Sequence, residues 1–118
     1  MAAKDIMTAK VTACGPDDTV EAAIALMVKR KVSGLPVVDA GKMVVGIITE
    51  ADVLTARPSA TVASVMTAPA VTVPPSASIK AVADLLVSKK IKRVAVVGKD
   101  GALLGIVSRA DILKSKVK

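Results

Sequence analysis

Two stretches of the chain carry apolar residues with a helical period. In the first, apolar side chains recur at i, i+3, i+4, i+7 and i+8, at Val20, Ala23, Ile24, Met27 and Val28. This spacing puts them on one face of an amphipathic helix, and either Asp18 or Thr19 can cap its N-terminus. The second stretch repeats the spacing after a capping Ser78, at Ile79, Val82, Ala83, Leu86 and Val87. The pattern predicts two amphipathic helices of similar length.

Shorter apolar runs around these helices predict β-strands. Residues 11–14 and 70–73 precede the helices and are followed by proline, which interrupts a strand. After each helix, two further runs are separated by a turn, at 35–38 and 43–48 and again at 94–97 and 102–107. The later turn contains Asp100-Gly101, a strong hairpin signal. Short helices over 50–55 and 109–115 complete the two halves.

The two halves are copies of one unit. A shift of 59 residues aligns 7–54 with 66–113 without a gap. Residues 57–59 are typical of a linker because they contain Pro and Ser. We therefore expect an α/β fold made of two tandem β-α-β-β-α repeats, 1–59 and 60–118. One repeat is too small to bury an adequate core, so we expect the two to pack with pseudo-two-fold symmetry.

One polar motif recurs where a predicted strand runs into a helix. It consists of Gly, two apolar residues, Ser or Thr, two further residues and Asp, at 46–52 and 105–111. In a structural interpretation, the hydroxyl and the carboxylate form a capping box at the start of the helix. In a functional interpretation, the helix N-terminus attracts a phosphate, the carboxylate accepts the hydroxyls of a ribose, and the glycine lets a ligand approach the backbone. Both interpretations can hold for the same residues.

Together these motifs resemble a known family. The Met-Thr openings, the stretch Val32-Ser33-Gly34-Leu35-Pro36-Val37-Val38 and the duplicated Gly-apolar-apolar-Ser/Thr-x-x-Asp are similar to tandem cystathionine-β-synthase (CBS) domains, the pair called a Bateman module. The resemblance implies a regulatory sensor that binds AMP, ADP or ATP, S-adenosylmethionine being another ligand of the family. It also implies a homodimer, an effector protein of unknown identity, and neither catalysis nor a cofactor.

The resemblance assigns residues to two clefts, each with ribose and phosphate contacts from one repeat and base contacts from the other. The main cleft would use Val11, Thr12, Val32, Ser33, Gly34, Lys92, Arg93, Ile106, Ser108 and Asp111. The second cleft would use Ile47, Thr49, Asp52, Ala70, Val71 and Ile91, with Lys92 near both. The cations Lys92 and Arg93 would bind phosphate, and the alternative for this pair is a solvated basic turn. Because Ser33 and Gly34 stand at the matching positions, we expect tighter phosphate binding beside Asp111 than beside Asp52.

Composition narrows the class of function. The chain has no Phe, Tyr, Trp or His, so it lacks an aromatic platform for nucleic-acid bases and an imidazole base or metal ligand. The single cysteine, Cys14, lies in an apolar run, where a buried small residue is expected rather than a nucleophile. Since no nucleophile–base pair or metal-ligand cluster is visible, we expect neither an enzyme nor a metal site.

The net charge of +7 leaves two alternatives open. A nucleic-acid-binding basic protein would use this charge, although without a recognition motif its binding would be non-specific. A purely structural homodimerisation module with vestigial ligand clefts is the other alternative. The sequence shows no apolar signal segment and no run long enough to span a membrane, so a cytoplasmic location is expected.

Overall fold

The computed structural model describes residues 1–117, and Lys118 lies outside the described residues. The elements follow one another as α1 (Ala3–Ile6), α2 (Val20–Arg30), β1 (Gly34–Val38), β2 (Val44–Thr49), α3 (Glu50–Val53), α4 (Val62–Val65), β3 (Thr72–Val73), α5 (Ile79–Ser88), β4 (Arg93–Val97), β5 (Leu103–Ser108) and α6 (Arg109–Ser115). The chain divides into two compact units. Unit 1 comprises Met1–Val11 and Val71–Lys118, and unit 2 comprises Thr12–Ala70.

Unit 2 packs helix α2 on the antiparallel hairpin β1–β2. The hydroxyl of Thr19 accepts a hydrogen bond from the N–H of Ala22 at 3.1 Å, which starts the helix. The helix ends at Lys31, whose φ of 55° is left-handed. The hairpin pairs from Gly34 opposite Thr49 onward. Its core consists of Cys14, Ala23, Met27, Leu35, Val37, Ile48 and Val62.

Unit 1 repeats this plan with a third strand. The hydroxyl of Ser78 accepts from the N–H of Ala81 at 3.1 Å and starts α5. Strand β3 pairs in parallel with β4, and β4 pairs antiparallel with β5 from Arg93 opposite Ser108 onward. The core of this unit consists of Ala3, Val73, Val82, Leu86, Val94, Val96, Val107 and Ile112.

The short helices α1 and α4 each lie in the unit formed mainly by the other repeat. Helix α1 belongs to unit 1, where Ala3 is fully buried and its N–H donates to the carbonyl of Ala77 at 2.8 Å. Helix α4 belongs to unit 2, where Val62 is fully buried and its N–H donates to the carbonyl of Asp18 at 2.8 Å. Neither helix was predicted, because four residues are too few to show a helical period.

Most of the predicted elements are confirmed, including the α/β class, both amphipathic helices and both hairpins. The predicted strand over 11–14 is wrong, because of these four residues only Cys14 forms a bridge, to Val37. Two backbone hydrogen bonds hold that residue, to the carbonyl of Pro36 at 3.1 Å and from the N–H of Val38 at 2.9 Å. Thr19 rather than Asp18 caps α2, since Asp18 accepts instead from the N–H of Gly15 at 2.8 Å.

Candidate functional site

The duplicated Ser/Thr-x-x-Asp motif forms a capping box at the start of a short helix in each unit. In unit 1, the Asp111 Oδ2 accepts from the N–H and the hydroxyl of Ser108 at 2.9 and 3.0 Å, and the Asp111 N–H donates back to that hydroxyl at 3.2 Å. In unit 2, Asp52 and Thr49 make the same three contacts at 2.9, 3.1 and 3.4 Å. The structural interpretation of the motif is therefore confirmed. In both units the capping box uses Oδ2 of the aspartate as its acceptor.

The second oxygen distinguishes the two aspartates. In unit 2, the hydroxyl of Thr67 donates to Asp52 Oδ1 at 3.3 Å and lies 3.5 Å from Oδ2. In unit 1, Asp111 Oδ1 accepts no hydrogen bond from any of residues 1–117. A carboxylate offers about two acceptor positions on each oxygen. Asp111 therefore retains both positions of Oδ1 for a ligand, whereas Asp52 retains one.

Thr67 was missed by the sequence analysis, which used the Met-Thr pair only as part of a resemblance. Its contact with Asp52 follows from the backbone of unit 2, where Thr67 forms a bridge with Ile47, two residues before Thr49. The matching Thr8 forms a bridge with Ile106 in unit 1. The repeat in the sequence could have suggested that both threonines lie near the motif, but a side-chain contact across 15 residues carries no local pattern.

The glycine of each motif faces a methionine. A Cβ added to Gly105 would lie 2.7 Å from the Met7 sulfur and 2.8 Å from the Thr8 carbonyl oxygen. A Cβ added to Gly46 would meet Met66 and the Thr67 carbonyl oxygen at 2.7 and 3.0 Å. The expectation that the glycine makes room for a ligand is therefore wrong, because the chain itself occupies that space.

The register of β4 and β5 gathers cations around the Ser108 end of unit 1. Arg93, half-buried, lies opposite Ser108, and the N–H of Arg109 donates to the carbonyl of Lys92 at 3.0 Å. The Arg109 Nε also donates to the carbonyl of Ile91 at 3.1 Å, which holds the side chain against the unit. Lys92 itself is exposed. Three cationic residues thus come within one or two positions of Ser108 along the sheet or the chain.

The matching end of unit 2 has a different charge. Gly34 lies opposite Thr49, and the N–H of Glu50 donates to the carbonyl of Ser33 at 3.0 Å. The backbone arrangement is the same as in unit 1, but a glycine, a carboxylate and a hydroxyl stand where unit 1 has cations. An anionic ligand would be attracted at the first site and repelled by Glu50 at the second.

The residues predicted for the two clefts are distributed over both units. Of the main-cleft set, unit 1 contains Val11, Lys92, Arg93, Ile106, Ser108 and Asp111, and unit 2 contains Thr12, Val32, Ser33 and Gly34. Of the second-cleft set, unit 2 contains Ile47, Thr49, Asp52 and Ala70, and unit 1 contains Val71 and Ile91. Within each unit, the sheet brings the hydroxyl, the carboxylate and the neighbouring strand end together.

Cys14 is the buried small residue that the sequence predicts. Its side chain is 3% exposed, and its Sγ lies 3.9 Å from the carbonyl oxygen of Pro36. Burial, with a smaller contribution from the negative charge of Asp18, raises the pKa of the Cys14 thiol to about 11. The thiol is therefore protonated at neutral pH and is a poor nucleophile.

No group of three or more Cys, Asp or Glu side chains within residues 1–117 could hold a metal ion. No helix in the same residues is long and apolar enough to cross a membrane.

Solved structures with the same fold include ligand complexes. CBSX2, a CBS-pair protein from Arabidopsis thaliana, was crystallised with AMP; it is 29% identical with a TM-score of 0.92, over 98% of this chain and 96% of that one. The CBS domain pair of protein MJ0100, in complex with 5′-methylthioadenosine and S-adenosyl-L-methionine, is 26% identical with a TM-score of 0.91, over 98% and 95% of the two chains.

Curated relatives match over a fraction of their length. The inosine-5′-monophosphate dehydrogenase of Methanocaldococcus jannaschii is 34% identical over 115 residues, which are 97% of this chain and 23% of the dehydrogenase. The chain thus spans about a fifth of the length of such relatives. The family model for the CBS domain matches twice, at residues 3–59 and 62–118. These two matches cover nearly the whole sequence, and the chain belongs to the CBS domain family as a tandem pair.

Proposed function

We propose that this CBS pair is a regulatory module that binds an adenine nucleotide at the Ser108–Asp111 end of unit 1. The observation that carries the proposal is the Asp111 carboxylate, which is fixed by its capping box yet retains Oδ1 as an acceptor. A fixed carboxylate oxygen is suited to the two hydroxyls of a ribose. The AMP and S-adenosylmethionine complexes of similar CBS pairs support the adenosyl class of ligand.

The cations around this site favour a phosphorylated ligand. Arg93 begins β4 opposite Ser108, the last residue of β5, and Lys92 directly precedes the strand. Hydrogen bonds between cationic side chains and phosphate oxygens are about twice as strong as neutral ones. We therefore infer AMP, ADP or ATP at Asp111, and weaker binding or an uncharged adenosyl group at Asp52, where Glu50 follows Thr49.

The proposed role is to sense a ligand and not to transform it. The one cysteine is buried with a protonated thiol, and the chain has no histidine. In this proposal, the protein acts as a homodimer and transmits the bound state to an effector protein. If no nucleotide binds, the alternative function is a purely structural homodimerisation module with vestigial ligand clefts.

The test compares ligands that differ only in the ribose. AMP should raise the melting temperature of the wild-type protein, because a ligand that binds the native state stabilises it. Adenosine 5′-monophosphate lacking both ribose hydroxyls should bind at least about tenfold more weakly, since each hydrogen bond to a charged group is worth about 1.5–3 kcal/mol. Calorimetry with AMP, ATP, S-adenosylmethionine and the dideoxy compound measures this. Equal binding of AMP and its dideoxy form, or no binding of any of them, contradicts the proposal.

A further inference from the structure

A surface hollow of unit 1 lies beyond the carboxyl ends of β3 and β4. Its wall consists of the ends of these strands, residues 74–76 after β3, residues 98–99 after β4, and Lys4 of α1. All of these residues belong to unit 1. Because β3 and β4 are parallel, both leave the sheet at the same edge, and ligands of open α/β sheets bind outside that edge. The volume of about 540 Å³ lies within the range of about 300–1,000 Å³ for small-molecule sites.

The hollow is separate from the Ser108–Asp111 end of the unit. Arg93 begins β4 opposite Ser108, whereas Val97 ends β4 and lines the hollow. A strand advances about 3.3 Å per residue, so the steps from Arg93 to Val97 separate the two places by about 13 Å along β4. The hollow contains none of the residues assigned to the nucleotide site.

Two lysines give the hollow a positive charge. Lys4 and Lys99 line it, and no carboxylate among residues 1–117 does. Neither ammonium group forms an ion pair with any of residues 1–117. The carboxylates next to them in the chain, Asp5 and Asp100, each accept a hydrogen bond from a backbone N–H, at 2.7 and 3.1 Å. An anion that enters the hollow therefore meets two cations that have no ion-pair partner in this part of the chain.

Ser76 adds hydrogen-bond donors to the same wall. Neither its hydroxyl nor its N–H is bonded to any other of residues 1–117. Ser76, Lys4 and Lys99 are all exposed, so a solute can reach them. Phosphate oxygens are strong acceptors that suit ammonium, hydroxyl and N–H donors. Since the rings of Pro74 and Pro75 lie beside these donors, the hollow combines a place for a phosphate with an apolar surface.

Unit 2 has the same backbone frame without the cations. The N–H of Lys4 donates to the carbonyl of Pro75 at 3.1 Å, and the same bond in unit 2 joins Ala63 to Pro16 at 2.9 Å. At the positions that match Lys4, Ser76 and Lys99, 59 residues away, unit 2 has Ala63, Asp17 and Ala40. Because the frame forms with two alanines and a carboxylate, the packing of the repeat does not require the two lysines of unit 1.

We propose that this hollow binds a small organic phosphate, with the phosphate held by Lys4, Ser76 and Lys99 and the organic part against Pro74 and Pro75. Lys4 belongs to α1, and Lys99 follows β4 in the turn to β5. A bound phosphate therefore links the first helix of the chain to the end of the sheet within unit 1, and it offsets the repulsion between the two ammonium groups. The inference is independent of nucleotide binding at Asp111.

Nuclear magnetic resonance locates the bound phosphate. Phenyl phosphate is the probe, titrated at about pH 7.5, where a phosphate monoester with a pKa of about 6 is dianionic. At constant ionic strength, it should shift the amide signals of Ser76 and Lys99 and leave that of Ala40 unchanged. Inorganic phosphate should bind at least about threefold more weakly, because it has no apolar group to bury. Equal affinity for the two probes identifies inorganic phosphate as the ligand and contradicts the proposal. Shifts confined to Ser108 and Arg109 overturn it and leave the nucleotide site intact.

Charge removal gives an independent measurement by the same titration. Lys4→Gln and Lys99→Gln should each weaken phenyl phosphate binding about two- to fivefold, the range of an exposed ion pair. The double variant should lose about tenfold, since the two effects add. Lys114→Gln, which removes an exposed lysine of unit 1 outside the hollow, is the matched control and should have less than about 1.5-fold effect. An equal loss from Lys114→Gln shows general attraction to the basic surface and refutes the site, as does unchanged affinity in the double variant.

Discussion

The site of unit 1 and the site of unit 2 share a backbone plan and differ in chemistry. In both, a strand ends at a hydroxyl residue that caps a short helix, and the third helical residue is an aspartate that closes the box. Only Asp52 also accepts from a threonine, and only Asp111 stands among cations. The two sites share the scaffold of the repeat but differ in the charge around the carboxylate and in how many of its acceptor positions are already used.

The largest expected difference between the sites is in nucleotide affinity. Asp111→Ala should lower AMP affinity by about 100-fold or more, because two hydrogen bonds of ribose to a charged acceptor are lost, each worth about 1.5–3 kcal/mol. Asp52→Ala should change it less than about threefold, since its carboxylate is partly used by Thr67. Isothermal calorimetry on both variants measures the difference.

Stability provides the control for those two variants. Each alanine removes one capping box, so each should cost about 1 kcal/mol in the free energy of unfolding. If Asp111→Ala loses stability but keeps its AMP affinity, the carboxylate is only a cap. If both variants lose affinity equally, the inequality of the sites is wrong.

The two motif glycines should also differ in how much an added methyl group destabilises the protein, with the larger cost in unit 1. Gly105→Ala should destabilise the protein by about 2–3 kcal/mol and Gly46→Ala by about 1–2 kcal/mol, because overpacking costs about 1–3 kcal/mol. The Cβ at 105 would lie closer to a rigid carbonyl oxygen, 2.8 Å against 3.0 Å at 46. Gly15→Ala is the matched control, with its nearest atom at 3.7 Å. Urea denaturation measures the loss of unfolding free energy in each variant. If Gly105→Ala and Gly46→Ala are as stable as the Gly15→Ala control, the prediction is wrong.

Removing the Thr67 hydroxyl should make the two sites more alike. Thr67→Val frees the Oδ1 of Asp52, so adenosyl-ligand affinity at that site should rise about three- to tenfold, corresponding to a hydrogen bond of about 1 kcal/mol. The measurement uses an Asp111→Ala background to isolate the second site. Thr67→Ser keeps a hydroxyl and Thr8→Val removes one beside the other site, and neither should raise the affinity. No gain from Thr67→Val shows that the hydroxyl yields freely to a ligand.

The smallest effect concerns the hairpin turns. Gly101 has a φ of 86°, and Lys42 has a φ of 66° at the matching position of unit 2. A side chain in the left-handed region costs about 1–2 kcal/mol. Gly101→Lys should therefore lower the free energy of unfolding by about 1 kcal/mol, and Lys42→Gly should raise it by about 0.5 kcal/mol after the added freedom of the unfolded chain is counted. Thermal unfolding should show a lower melting temperature for Gly101→Lys and a higher one for Lys42→Gly.

The sequence predicted what depends on local pattern. The stripes of α2 and α5 and the capping boxes at Thr49 and Ser108 lie within a few residues of one another, so their spacing shows the structure that they form. The contact of Thr67 with Asp52 and the burial of Ala3 depend instead on where distant segments pack. No spacing in the sequence marks such contacts, because tertiary packing decides them.

The prediction of a strand over 11–14 is wrong for a related reason. Apolar content alone suggested pairing, whereas the backbone reaches β1 only at Cys14, between Pro36 and Val38. Proline at 36 also lacks an N–H to donate to a longer ladder. The base-lining residues of the two clefts came from a family resemblance, and their roles stay predictions.

The placement of α1 bears on how the chain folds as the ribosome makes it. Unit 2, Thr12–Ala70, is a continuous stretch, so all of its residues are available once the chain has emerged past residue 70. Unit 1 needs both Met1–Val11 and the segment that begins at Val71. Met1–Val11 is therefore synthesised before unit 2 and its partner segment after it, so Ala3 can be buried only once the second repeat has been synthesised.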